Sequence, residues 1–291
     1  MNSTRSTLLH LRIPFSFFLL PVYLFALSIS TNYQVADALL VFFVVHFLLY
    51  PASNGYNSYF DRDEGSIGGL EHPPPVSKQL YFVALALDAV AIALGALISV
   101  RFAAMLLVYG LVSKAYSHPR VRLKKYAVVS WLVAGFFQGF FTVLMVYAGI
   151  NRAGWADVGQ PVVWMGAVLT SLMLWGSYPM TQIYQHEEDH RRGDTTLSYR
   201  LGVLGTFHFT AGLFLLTIAG FWLYYRTWFA WWEGMVFVLF LLPVLGYFVR
   251  WYQKVRKDPH RADFRGTMRL NFISGLCLNA FFLLTVFLHR G

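Results

Sequence analysis

The chain has 291 residues, 57% of them hydrophobic and only 13% charged, with a mean hydropathy of +0.52. Soluble domains carry about a quarter charged residues, so a soluble globular fold is excluded, and apolar runs of roughly 18 residues or more recur as membrane-spanning helices do. The net charge of +9 could belong to a nucleic-acid binder, but its distribution follows the membrane instead, and the single cysteine, Cys277, excludes a disulfide within the chain.

In chain order, nine candidate spans fall at about residues 13–30, 35–53, 80–100, 102–117, 126–148, 162–184, 203–225, 228–251 and 268–288. With the N-terminus placed in the cytoplasm, 19 of the 23 Lys and Arg lie on the inner side, and only Arg101, Arg152, Arg226 and Arg290 lie outside. That asymmetry is the positive-inside rule, so the basic charge reads as topology. A removable leader over the first 30 residues is the alternative for the first span. No linker divides the chain, which reads as one all-α polytopic domain over 1–291 with about nine transmembrane helices.

The outer connections are short and plain, whereas the inner ones at 54–78, 114–125 and 185–200 are dense with polar groups. Charges near a bilayer centre are costly, so such groups face water or a cavity. If the second span continues past Pro51, then Asn54, Asn57 and Asp61 share one face by i, i+3, i+7 spacing. Asp63 and Glu64 follow. Oxygen ligands in that arrangement suit a hard cation such as Mg²⁺; an ordinary capped helix end is the bland alternative. In YPMTQIYQHEEDHRRGDTTLSYRLG, residues 178–202, Thr181, Gln185, Glu188 and Asp189 share a helical face that Gly193 ends. Between these clusters, YSHPRVRLKK (116–125) presents Tyr116, Arg120, Arg122, Lys124 and Lys125 on a turn. Acidic helix ends for metal with a basic turn between them make a diphosphate site.

These motifs resemble the UbiA superfamily of membrane prenyltransferases. The Asn-Asp-x-x-Asp motif of that family appears here as Asn57-Ser58-Tyr59-Phe60-Asp61. Its Asp-x-x-x-Asp motif appears as Gln185-x-x-x-Asp189 followed by Gly193, Thr196 and Leu197, and YSHPRVRLK matches its Tyr-Ser-x-Pro-x-x-Arg-Leu-Lys segment. Ser58 and Gln185 stand where acids are usual, and Gly65 stands where the first motif's last acid is expected. The resemblance implies Mg²⁺-dependent transfer of a prenyl group from a prenyl diphosphate to an aromatic or quinone-precursor acceptor. Asp61, Asp189, Lys124 and Arg122 would be catalytic, and Asn54, Asn57, Tyr116, Arg120, Lys125 and Gln185 would bind substrate. Asn57, Asp61, Asp63, Glu64, Glu188 and Asp189 would hold metal. The aromatic residues Trp131, Phe136, Phe137, Phe140, Tyr147 and Trp175 lie on plausible cavity helices.

Three other readings compete. His186-Glu187-Glu188-Asp189-His190 matches the zinc-protease pattern H-E-x-x-H, although the intervening acids and Gly193 set it outside an apolar helix. The missing acids fit a lipid-binding or transport protein that kept the fold and lost its metals. A transporter of unrelated fold would show helices broken near mid-membrane, whereas the polar groups here gather at one face.

Overall fold

A computed structural model describes residues 2–31 and 33–290. Among them the ordered elements are helices, with only an isolated bridge between Ile67 and Leu70. Eleven helices organise the chain: α1 (Ser3–Leu11), α2 (Leu20–Ser28), α3 (Val35–Asp61), α4 (Gln79–Ile98), α5 (Val100–Ser117), α6 (Ala127–Ile150), α7 (Pro161–Ser177), α8 (His186–Arg191), α9 (Leu197–Trp228), α10 (Trp231–Lys257) and α11 (Phe264–Leu288).

All nine expected segments are helical, but the span count needs qualification. Seven helices among the described residues are long and apolar enough to cross a membrane, and counting the pair bent by 43° at Leu19 as one span makes eight. The remaining segment, α5, the fourth in chain order, has 18 residues but carries Arg101 and Lys114. The protein is a multi-pass integral membrane protein, and the charges inside α5 need partners there.

The chain forms two compact units. The first comprises Met1–Phe17, Ser30–Lys124 and Met145–Asp157; the second comprises Phe18–Ile29, Lys125–Leu144 and Val158–Gly291. In the first unit, α3, α4 and α5 pack on one another around Val41, Val44, Leu80, Ala84, Ala91, Phe102 and Leu106, all essentially inaccessible. Lipid is as apolar as these side chains, so close packing rather than water exclusion holds such helices together. Gly95 shows how tight it is: a Cβ there would stand 2.4 Å from Leu106 Cδ1. The Arg152 guanidinium fastens one end of this unit, gripping both oxygens of Asp37 (2.7 and 2.8 Å) and donating to Ile98 O (2.9 Å). Arg101 donates to Ala153 O and lies over the Trp155 ring. Sequence alone assigned both arginines to plain outer connections; each is a structural clasp.

In the second unit Phe25, Phe221, Tyr224, Phe237, Phe281 and Phe282 form a buried aromatic core, with edge-on contacts such as Phe25–Phe282 at 5.4 Å. The turn Phe136–Phe141 of α6 is a widened π turn, which normally leaves backbone groups needing partners. Ser171 on α7 supplies them, donating to Gly135 O and accepting from Phe140 N, both at 2.8 Å. Gly139 lets the backbones meet there, since a Cβ would fall 2.5 Å from Ser171 Cα. Trp131 and Trp175 serve this same junction: Trp131 Nε1 donates to Trp175 O at 2.8 Å, and Trp175 lies against Gly135. Phe136 stacks on Phe140 at 5.2 Å.

Candidate functional site: a motif helix clamped against a basic turn

The first motif lies on α3. The turn Val44–Leu49 is widened, the Tyr50 amide reaching Val45 O, and Pro51, which has no amide hydrogen, follows without ending the helix. The helix therefore continues to Asp61, as the spacing of Asn54, Asn57 and Asp61 requires, and ends where Arg62 turns left-handed (φ 49°). Each motif side chain has a distinct partner in the first unit. Asn54 Oδ1 accepts from Arg12 Nη2 at 3.2 Å. Asn57 Oδ1 accepts from Ser117 Oγ at 2.5 Å. The buried Asp61 carboxylate pairs with Lys124 Nζ at 2.5 Å. Beyond the helix end, Asp63 is half-buried and Glu64 exposed.

The basic turn is built locally. Helix α5 stops at Ser117 before the His118-Pro119 pair, as chains commonly do ahead of proline. His118 O then accepts from the amides of Val121 (3.0 Å) and Arg122 (2.8 Å), and Arg122 adopts φ 45°. A short 3₁₀ turn over Leu123–Lys125 then directs Lys124 at Asp61. Arg122 and Tyr116 are half-buried, whereas Arg120 and Lys125 are exposed, Lys125 Nζ standing 4.8 Å above the Tyr126 ring. The structure thus brings together Asn57, Asp61 and Lys124 of the expected site and adds Ser117.

The second motif lies in the second unit and differs from its expected form. Helix α8 begins only at His186. Thr181 belongs to the preceding 3₁₀ turn and Gln185 sits at the cap, so the two do not share one helical face with Glu188 and Asp189. Pro179 and the turn it starts break the register that a continuous helix would have kept. Gly193 (φ 73°) ends the segment as expected, and Thr196 Oγ1 caps α9 by accepting from Tyr199 N at 3.3 Å. Glu188 is tied to Arg192 at 2.5 Å, and Asp189 is half-buried, with its carbonyl accepting from Asp194 N at 3.0 Å.

The zinc-protease pattern dissolves here. His186 Nε2 is engaged with Ser198 Oγ at 2.7 Å, and His190 stacks on Tyr199 with centroids 5.2 Å apart. Burial lowers the His186 pKa, favouring the neutral ring. Among the described residues no group of three His, Cys, Asp or Glu could hold a metal.

Sequence reasoning counted Arg12 only among the inner-side charges, but His10 and Arg12 grip the loop after the first motif. His10 Nε2 hydrogen-bonds Pro74 O at 2.8 Å, and Arg12 donates to Gly68 O at 3.2 Å. It also counted Lys114 only as a topological charge and passed over Asp88. A lone acid inside an apolar span was the signal available.

Fold and site together define a multi-pass helical membrane protein that gathers amide and carboxylate oxygens beside a fixed cation at the end of one helix. The chain belongs to the UbiA prenyltransferase family, whose model matches residues 18–273, and is accordingly a membrane prenyltransferase. Its fold is similar to that of a UbiA homologue from Aeropyrum pernix K1 (TM-score 0.68, 16% identity, 98% of each chain covered). It is also similar to a UbiA homologue from Archaeoglobus fulgidus bound to GPP and Mg²⁺ (TM-score 0.67, 19% identity, 97% of this chain and 99% of that one). A third likeness is to digeranylgeranylglyceryl phosphate synthase (TM-score 0.62, 19% identity, 98% and 99% covered). None of the curated protein sequences gives a significant match.

Proposed function

We propose that the protein transfers a prenyl group from a prenyl diphosphate to an aromatic or quinone-precursor acceptor, at a site opening to the cytoplasm. The observation that carries this reading is the meeting of Asn57, Asp61, Ser117 and Lys124 at the end of α3. The Archaeoglobus homologue bound to GPP and Mg²⁺ supports the diphosphate as the head group and a divalent ion as its companion. In this reading the carbon–oxygen bond of the prenyl diphosphate breaks, and its electron pair leaves with diphosphate. Acceptor electrons then form the new carbon–carbon bond, and a ring proton leaves to restore aromaticity.

Lys124, Arg122 and the more peripheral Arg120 and Lys125 would stabilise the charge that grows on diphosphate. Tyr116 would line its approach. Asn57 and Asp61, with Asn54 earlier on the same helix and Asp63 and Glu64 beyond its end, are hard oxygen donors of the kind Mg²⁺ takes, and they would hold the ion beside the diphosphate. In the second unit, Asp189, with Glu188 and Gln185, would be the second motif's own donors. The ion, when bound, would lower the charge on the leaving group. The apolar walls of the bundle would keep water from the allylic cation.

The test is pyrophosphate release by the detergent-purified protein, offered geranyl, farnesyl and longer diphosphates with a panel of aromatic acceptors, with and without Mg²⁺. Mg²⁺-dependent release, reduced at least a hundredfold in Asp61→Ala and in Asp189→Ala, is expected. Binding of prenyl diphosphate without release for any acceptor would overturn the reading in favour of a lipid-binding protein.

A further inference from the structure

Two ionisable side chains outside the motifs lie within membrane-spanning helices of the first unit. Asp88 sits midway along α4 and Lys114 in the last turn of α5; they form an ion pair with side chains 12% and 15% exposed. A carboxylate midway along a span, as Asp88 is, is rare and, where it occurs, is tied to function. The Lys114 ammonium also stands 5.1 Å above the centroid of the Tyr56 ring, a favourable cation–π contact. Tyr56 is buried and lies directly between Gly55 and Asn57 of the first motif turn.

The four residues Asn54–Gly55–Tyr56–Asn57 are each seized by a different group. Arg12 holds Asn54. A Cβ at Gly55 would come within 3.1 Å of Leu11 and of Leu80, so α3 lies pressed against α1 and α4 there. Lys114 covers Tyr56, and Ser117 holds Asn57. Lys114 and Ser117 are three residues apart on α5 and so lie on one helical face, one turn on from each other. The Asp88 carboxylate lies directly beside α5 at Gly110, a turn before Lys114, where a Cβ would stand in ordinary contact 3.6 Å from Asp88 Oδ1. Asp88 thus reaches from α4 to fix the ammonium that covers α3.

We propose that Asp88 and Lys114 are positioning residues for the transfer reaction. The pair locks the rotation of α3 about its own axis through Tyr56, and so sets the direction in which Asn57 and Asp61 point. A helix turned by one residue swings its side chains by about 100°, given 3.6 residues per turn, so even a small loss of this lock misdirects the motif oxygens. The inference rests on the prenyl-transfer reading for its kinetic consequence, while its structural half can be read without turnover.

The experiment replaces both charges by apolar groups of similar size, Asp88→Leu with Lys114→Met, so that no unpaired charge remains in the bilayer. Amide hydrogen exchange over residues 53–61 is measured alongside kcat, KM and thermal stability. The expected result is a midpoint at or above that of the wild type, exchange over 53–61 faster by at least tenfold, and kcat lowered at least tenfold with KM changed less than threefold. Lys114→Arg, which keeps both contacts, is expected to retain kcat within threefold. Tyr56→Leu, which keeps the ion pair, serves if the double variant does not fold; it is expected to raise exchange over 53–61 and lower kcat about threefold. Wild-type exchange and kcat in the double variant, or in Tyr56→Leu where the double does not fold, would overturn the proposal and leave the pair as a folding device only. If the wild type turns over no prenyl diphosphate, the functional reading fails, and exchange alone decides whether the pair locks the motif turn.

Discussion

Replacing Lys124 by Met tests whether the Asp61–Lys124 pair is the electrostatic centre of the first motif. The Asp61 side chain retains 4% of its exposure and that of Lys124 14%, with 2.5 Å between the charged atoms. Removing one member of a buried pair strands the other, at a cost of roughly 3–5 kcal/mol. The two partners are not equivalent, however. Lys124 lies in a turn and has a flexible stem with some access to water, so Asp61→Asn leaves a cation that can relocate, at a cost of about 1 kcal/mol. Lys124→Met leaves a carboxylate fixed on a helix, at about 3 kcal/mol. At about 2–4 °C per kcal/mol for a large domain, the thermal midpoint should fall by about 6–12 °C in Lys124→Met but only about 2–4 °C in Asp61→Asn. The double variant should recover at least about 1 kcal/mol of the Lys124→Met loss, a coupling expected of residues in contact. Thermal unfolding in one detergent at one pH measures all four proteins. Equal losses in the two single variants, or strictly additive losses in the double, would refute the reasoning.

Three further expectations follow from packing and charge. Gly139→Ala would put a Cβ 2.5 Å from the backbone of Ser171, whereas a Cβ at Gly212 meets nothing within 4 Å; the first should lose about 1–3 kcal/mol from overpacking, the second far less, and equal midpoints would contradict the packing described for the π turn. His289 accepts burial, which lowers its pKa, but its hydrogen bonds to Glu233 Oε2 (2.9 Å) and Ser28 O (2.8 Å) outweigh that and raise it. Its stabilisation is therefore full below the unfolded value near 6.5 and is lost as pH rises through the folded value, so the midpoint difference between wild type and His289→Gln should shrink on going from pH 6 to pH 9. Arg152→Lys should fail to replace arginine, because the two-pronged grip on Asp37 with a third bond to Ile98 O needs a planar fork; a midpoint equal to wild type would show that charge alone suffices.

Much of the molecule was legible because its information is local. Hydropathy along a single segment marks a helix that can live in lipid, so all nine expected segments are helical. The 3.6-residue period placed Asn54, Asn57 and Asp61 on one face without reference to any neighbour, and Gly193 carried its own positive φ as the stop signal. The Tyr-Ser-x-Pro segment likewise wrote its own turn, through the proline that ends α5. The same local rule failed at Thr181 and Gln185, where helical spacing was extended backward across Pro179 and the 3₁₀ turn broke the register.

Only the tertiary structure decided which charge meets which. Arg12 and Asn54 are 42 residues apart, Asn57 and Ser117 are 60 apart, and Arg152 and Asp37 are 115 apart. No periodicity reaches that far. In a membrane such choices matter more than in water, since an unpaired ion there has no solvent to retreat to. The sequence by itself therefore determined that this chain enters the bilayer, where its helices lie along the chain, and which helix end carries the oxygens. Packing of α1, α4 and α5 against α3 decided that Arg12, Ser117, Lys114 and Lys124 are the residues that hold that end in place, because only close approach of separate helices can bring their charges and hydroxyls within bonding distance.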